Sequence, residues 1–288
     1  MKTKSILKLL MSIALVLGAW WSYTYYLEIT MEPTRRSDRL FKPYDEAAYR
    51  IAQKIERGQS ISIRELKNLP NVVNTRYGQE ITLLFHALSA RNIEAIDALL
   101  EAGADPYMID RPSTGSARGF VYYLTLTGHP TDPQLGFPFI NQLIRLYLKH
   151  GGDPNRRLGG TLKSPLIADV ALIKNFEGID ILLKAGADPW REDNMNDNVM
   201  THLARSHIAQ DKLENLIEQG YFDNVPYNLL KEFMQALSGY LPRGDSISVA
   251  NQAIGRRVLK RHPDYPADRH TERLFQGPIP WAEIAHER

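Results

Sequence analysis

"LLKAGADPW", residues 182–190, is nearly repeated as "LLEAGADPY" at residues 99–107, and a looser version, "YLKHGGDPN", stands between them at residues 147–155. In each copy the leucines close an apolar helical stripe. The glycine supplies the left-handed residue that a helix end favours. Asp-Pro then launches a turn, because the aspartate can accept backbone amides ahead of it and proline fixes φ. The cassette is therefore punctuation: it ends a helix pair and throws the chain out into a hairpin-like finger. Working outward, "ITLLFHALSARNIEAIDALLEAGADPY", residues 81–107, reads as two short helices back to back. Leu84, Ala87 and Leu88 line the inner face of the first, and Ile93, Ile96, Leu99 and Leu100 that of the second. Pairs this short cannot bury an apolar face alone, so stacked copies are needed.

A later copy, "SPLIADVALIKNFEGIDILLKAGADPW", fills residues 164–190, and a weaker one, "VMTHLARSHIAQDKLENLIEQGYFD", fills residues 199–223. The cassette aspartates Asp105, Asp153, Asp188 and Asp223 are 48, 35 and 35 residues apart. This array resembles the ankyrin repeat, whose period is about 33 residues. The first copy matches that pattern at Thr82, Leu84, Ala87, Glu94, Ile96, Leu99, Leu100, Gly103, Ala104 and Asp105. It departs at Leu83, Phe85 and Arg91, where the pattern has proline, histidine and glycine. The later copy matches at Ser164, Pro165, Leu166, Ala168, Ala171, Gly186, Ala187 and Asp188, and the weaker one keeps His202, Ala204, Leu216 and Gly220. The resemblance implies an all-α solenoid of stacked helix pairs. The long first interval is filled by "RPSTGSARGF" at 111–120 and "GHPTDPQLG" at 128–136, loop-like insertions of the kind that project from a solenoid.

The resemblance also implies that fingers and first helices form a concave protein-binding face. The finger positions are Arg76, Tyr77, Arg111, Arg156, Arg157, Trp190 and Arg191. Arg, Tyr and Trp are the types enriched at interface hot spots, and the arginines suggest an acidic partner surface. A narrower likeness comes from "DPQLGFPFINQLIRLYLKHGGDPN", residues 132–155. It is similar to exported bacterial ankyrin proteins that serve as immunity proteins against type VI secretion phospholipase effectors. Many of those are lipoproteins, and this chain departs by having no cysteine to acylate. The implied function is sequestration of a toxic lipase, with no chemistry of its own. A membrane-tethered scaffold for an endogenous envelope protein is the alternative.

The N-terminus carries Lys2, Lys4 and Lys8 ahead of an apolar run that becomes aromatic at Trp20, Trp21, Tyr23, Tyr25 and Tyr26. Leu9 to Leu27 has about the 20 residues a membrane span requires, with an interfacial aromatic belt. Residues 1–29 are thus expected to be a signal-anchor that holds a periplasmic domain at the inner membrane, with a cleaved secretory signal as the alternative. Residues 30–43 follow as a polar linker, the repeat array as 44–240, and a helical cap with a surface tail as 241–288. In the array's first part a helix is expected over 45–57 with Ala48, Ile51 and Ile55 inward and Gly58 as its stop, and another over 63–69 ended by Pro70. After Gly220, Leu229, Leu230, Phe233, Met234 and Leu237 should face inward, and in the cap Val249, Ile254 and Val258 should do so, with Arg256, Arg257, Lys260 and Arg261 on the other side.

Net charge is +2, which gives no ground for a general nucleic-acid binder, and the 43% apolar content is ample for a buried core. Without cysteine there are no disulfides, thiolate nucleophiles or cysteine-ligated zinc. No phosphate-binding glycine loop and no H-E-x-x-H metal motif occurs, so neither cofactor nor metal is expected. "RGDSIS", residues 243–248, contains a Gly-Asp-Ser found in one lipase family. Its context differs, and Asp245 or Ser246 reads instead as a helix N-cap. "EDNMNDN", residues 192–198, invites calcium, but Met195 falls where an oxygen ligand should be. His86 and His202 read as packing or hydrogen-bonding residues of repeat helices.

Overall fold

The computed structural model describes residues 36–113, 118–125, 136–159, 163–206, 208–239 and 246–286. These are predominantly helical, so the fold class is all-α. The expected anchor, residues 1–29, lies outside the described residues, among which no helix is long and apolar enough to cross a membrane. The chain divides into two compact units at Phe120/Val121. That boundary falls between the two insertions that stretch the first repeat interval.

Unit 1 contains α1 (Arg36–Leu40), α2 (Glu46–Glu56), α3 (Ile63–Lys67), α4 (Pro70–Val73), α5 (Leu83–Ser89) and α6 (Ile93–Glu101). A short antiparallel pair, β1 (Ile109–Asp110) and β2 (Arg118–Gly119), follows with Ile109 opposite Gly119. Helix α2 packs on α5 and α3 packs on α6, which makes two layers. Ala48, Ile51 and Ile55 of α2 and Leu83, Leu84, Ala87 and Leu88 of α5 are all buried. Ile96, Leu99 and Leu100 of α6 are buried as the stripe requires, whereas Ile93 is only half-buried. Pro70 does not simply end the preceding helix but opens α4, where a first-turn proline lacks nothing because that N–H would be unpaired anyway. Residues 36–43, expected within the linker, instead fold as α1 and a turn, because Leu40 and Phe41 have a core to enter.

Helix α1 is tied down by a buried polar cluster. Glu56 accepts the Ser37 backbone N–H at 2.8 Å and its hydroxyl at 2.7 Å, and His86 Nε2 lies 3.4 Å from the same carboxylate. Burial pushes the Glu56 carboxyl up, but His86 and Ser37 outweigh it and hold it below the usual range. The Phe41 ring meets His86 edge-on at 4.9 Å. His86 is thus a core histidine, as its place on a repeat helix suggested.

Unit 2 contains α7 (Phe137–Lys149), α8 (Leu166–Leu172), α9 (Phe176–Lys184), α10 (Val199–Ala204), α11 (Gln210–Glu218), α12 (Tyr227–Ser238), α13 (Ser246–Arg261), α14 (Arg269–Phe275) and α15 (Trp281–His286). It too is layered: α8, α10, α12 and α14 pack in succession, while α7 packs on α9 and α11 on α13. Leu182 of α9, Leu203 of α10 and Phe233 of α12 are fully buried. Gly178 lets α8 and α9 approach closely, since a Cβ there would meet Val170 Cγ1 at 2.9 Å. Two expectations change. Val249 is exposed, not inward, and the apolar side of α13 is formed by Ile254, Val258 and Leu259. The tail after 262 is not merely laid on the surface. Asp268 and Thr271 cap α14 reciprocally, and Tyr265, Leu274, Ile279 and Ile284 are buried.

The cassette glycines behave as their position demands. Gly103, Gly151, Gly186 and Gly220 have φ of 94°, 80°, 89° and 82°. At Gly103 and Gly186 a Cβ would meet nothing within 4 Å, so only the backbone conformation asks for glycine there.

Candidate partner-binding surface

Each finger begins with the same aspartate turn. Asp105 accepts the Tyr107 amide at 2.8 Å, Asp153 the Asn155 amide at 2.8 Å, and Asp188 the Trp190 amide at 2.9 Å. Asn155 and Trp190, each two places after a cassette aspartate, then reach the next turn. Asn155 Nδ2 donates to the Gly186 carbonyl at 3.0 Å, and its Oδ1 accepts the Asp188 amide at 2.8 Å. In unit 1 Asn74 makes the same pair of bonds, to the Gly103 carbonyl at 2.9 Å and from the Asp105 amide at 2.8 Å. Trp190 occupies the corresponding place in the next turn and donates its indole N–H to the Tyr221 carbonyl at 2.7 Å. Sequence reading missed this staple, although an asparagine two residues after the cassette aspartate was there to be seen at Asn155.

A second bridge joins the helix layers. Asn92 caps α6 through the Ala95 amide and donates to the Ile55 carbonyl, at 3.0 Å each. Asn175 caps α9 through the Gly178 amide at 3.0 Å and donates to Asn141 Oδ1 at 2.8 Å.

The finger residues expected to grip a partner take different places. In unit 1, Tyr77 is 7% exposed; its ring packs on Phe41, so it belongs to the core, not to a contact face. Burial pushes its hydroxyl up to about 12. Arg76 donates to the Ile109 carbonyl at 2.7 Å, and the Arg111 guanidinium lies over the Phe85 ring at 5.3 Å. Arg76 and Arg111 are thereby brought to one place, around Asp110. That buried carboxylate accepts the Thr82 amide at 2.6 Å, at the start of α5. Burial raises Asp110 to about 6, against the pull of Thr82 and the two arginines. Glu80 completes the finger by accepting the Ser113 amide at 2.9 Å and its hydroxyl at 2.6 Å.

In unit 2, Arg156 and Arg157 lie side by side on a small hairpin in which Leu166 donates to the Arg156 carbonyl and Leu158 to the Ser164 carbonyl, both at 2.8 Å. Arg157 donates across it to the Lys163 carbonyl at 2.9 Å, while the Arg156 side chain is exposed. Trp190 is half-buried, edge-on to Phe222 at 5.1 Å, and Arg191 is half-buried with no ion pair among the described residues. The loop 192–198 is folded around Asp193, whose Oδ1 accepts the Met195 amide at 2.7 Å and the Asp197 amide at 2.9 Å. Met195 points to solvent there. Among the described residues no three metal-ligating side chains converge.

The unexpected feature of unit 2 is negative. Asp193 acts on Asp169 of α8 and, together with Glu232 of α12, on Glu192, yet no lysine or arginine pairs with any of these four among the described residues. Burial pushes Asp169 up, and Asp193 pushes it further. Glu192 is raised by burial, then by Glu232 and Asp193. Beside Asp169 opens a cleft of about 480 Å³ lined by Tyr122, Leu158, Ser164, Leu172 and Ile173. These residues come from separate elements, which is why no linear motif announces them. The basic side of α13 does not form a free patch: Arg257 lies 3.7 Å from Glu214 and 3.6 Å from Glu218, and Arg261 lies 3.2 Å from Asp223.

No family model matches the chain, and no curated protein matches it either.

Proposed function

We propose that this chain is a non-enzymatic, ankyrin-type protein-binding module, held at the inner membrane by its N-terminal segment with the main domain in the periplasm. Its role would be that of an immunity protein sequestering a phospholipase-type toxin. The observation that carries the reading is the turn-to-turn asparagine staple, made by Asn74 in unit 1 and by Asn155 in unit 2 to equivalent partners. A staple between successive turns rigidifies the row of fingers. A rigid row costs less ordering entropy when a partner docks. The lipase enters from the sequence resemblance, and the membrane from the apolar, aromatic-ended N-terminal run.

The test is affinity capture with the full chain in detergent, followed by assay of whatever phospholipase is retained. Immunity requires that the captured enzyme lose its activity as the chain approaches equimolar amounts. Capture restricted to resident envelope proteins would instead establish the scaffold alternative. Hydrolysis of a simple ester by the chain itself, abolished in Ser246→Ala, would overturn the non-enzymatic reading.

A further inference from the structure

The Asp169 cleft sits in unit 2 beside the bridge between Arg157 and Pro165, and its lining is mixed in character. Leu158, Ile173 and the ring of Tyr122 supply apolar surface, and Leu172, which is 60% exposed, forms part of the rim. Asp169 brings a carboxylate to this lining, with Ser164 as a second polar side chain. No lysine or arginine pairs with Asp169 among the described residues, and Asp193 adds to the negative potential there. A half-buried carboxylate with a like charge beside it and no cation is an unfavourable arrangement for an isolated domain. It becomes favourable when a cation arrives from outside.

We infer that the cleft takes an arginine side chain from an exposed segment of the protein partner, its guanidinium on Asp169 and its stem against Leu158, Leu172 and Ile173. Arginine suits this chemistry because its long stem tolerates apolar walls while its planar head pairs with a carboxylate through two parallel N–H donors. The volume of about 480 Å³ is within the range of ligand pockets, so the residues flanking the arginine also find room. The partner element is therefore basic at this point, the opposite of what the finger arginines suggested. The inference rests on the protein-binding reading and makes one contact of it specific.

Fluorescence anisotropy with the full chain in detergent tests it without knowledge of the partner. The probes are two fluorescein-labelled pentapeptides, Gly-Ala-Arg-Ala-Gly and the same peptide with citrulline, which keeps the shape of arginine and removes its charge. The arginine peptide should bind about tenfold more tightly than the citrulline peptide, the scale of one charge-assisted hydrogen-bonded contact. In Asp169→Asn the preference should vanish. Leu172→Ser changes only an exposed rim residue; it should weaken both peptides by about threefold and leave their ratio intact. Equal binding of the two peptides overturns the inference, as does a preference that survives Asp169→Asn or indifference of both peptides to Leu172→Ser. These readouts are separate from affinity capture. The cleft can fail while a partner is still retained, and it can discriminate while no phospholipase is found.

Discussion

In unit 1 the finger arginines are directed at their own chain: Arg76 holds the Ile109 carbonyl, Arg111 covers Phe85, and both surround Asp110. In unit 2 the corresponding charge balance is left open: Asp193 acts on Asp169 and on Glu192, Glu232 acts on Glu192, and no lysine or arginine pairs with them among the described residues. Yet the two units share their framework, since Asn74 and Asn155 staple successive turns in the same way. Asn92 and Asn175 each cap a helix while donating to a neighbouring one, to the Ile55 carbonyl and to Asn141 Oδ1 respectively. A shared framework with different charge closure separates what holds the fold from what a partner could use. Charges that the chain already satisfies are poor candidates for recognition; charges left to repel one another are better ones.

The comparison can be broken most forcefully at the core. Leu99→Ala in unit 1 and Leu182→Ala in unit 2 each remove a fully buried leucine at the same place in the cassette. Each should cost about 2–5 kcal/mol by chemical denaturation. A negligible loss at either site would show that the two cassettes are not packed alike.

Asp110 sharpens the contrast through pH. Its carboxyl is raised from 3.8 to about 6, so the native state holds this proton more tightly than the unfolded chain. The stability it contributes is full below pH 3.8 and is lost as pH rises through about 6. Asp110→Asn, which keeps an oxygen for the Thr82 amide, should therefore gain stability relative to the unsubstituted chain between about pH 4.5 and about pH 7.5. The gain should be about 2 kcal/mol, read from urea midpoints at the two pH values. A constant difference across that range would contradict the assignment.

The staples should show a smaller, symmetric effect. Asn74→Ala and Asn155→Ala each remove two solvent-accessible hydrogen bonds and should cost about 1–2 kcal/mol, equal within error. Smallest of all, Arg257→Ala should change stability by under about 1 kcal/mol, because its pairs with Glu214 and Glu218 are loose and partly exposed.

Much of the framework was legible in the sequence because the cassette spells its own conformation. Leu-Leu, Gly and Asp-Pro each have a local cause, so helix pairs, left-handed glycines and aspartate turns could be placed from residues 99–107 and 182–190 alone. Segments whose structure depends on distant partners could not. Phe41 looks like a stray apolar residue until Tyr77 and His86 stand against its ring, and Leu274 and Ile284 are too sparse to give a helical period. The candidate face was harder still. Tyr77 and Trp190 have the composition of contact residues, but the same aromatic rings serve packing when a core is close by. Asp169, Glu192 and Glu232 lie 23 and 40 residues apart in the chain, and only folding brings their charges within mutual influence.

Backbone amide hydrogen exchange, resolved at Asp105 and Asp188 in the full chain, is the most direct check on the shared construction. Both amides lie in exposed turns and should be protected, with Asn74→Ala releasing Asp105 alone and Asn155→Ala releasing Asp188 alone. Free exchange at both amides in the unsubstituted chain would contradict the account.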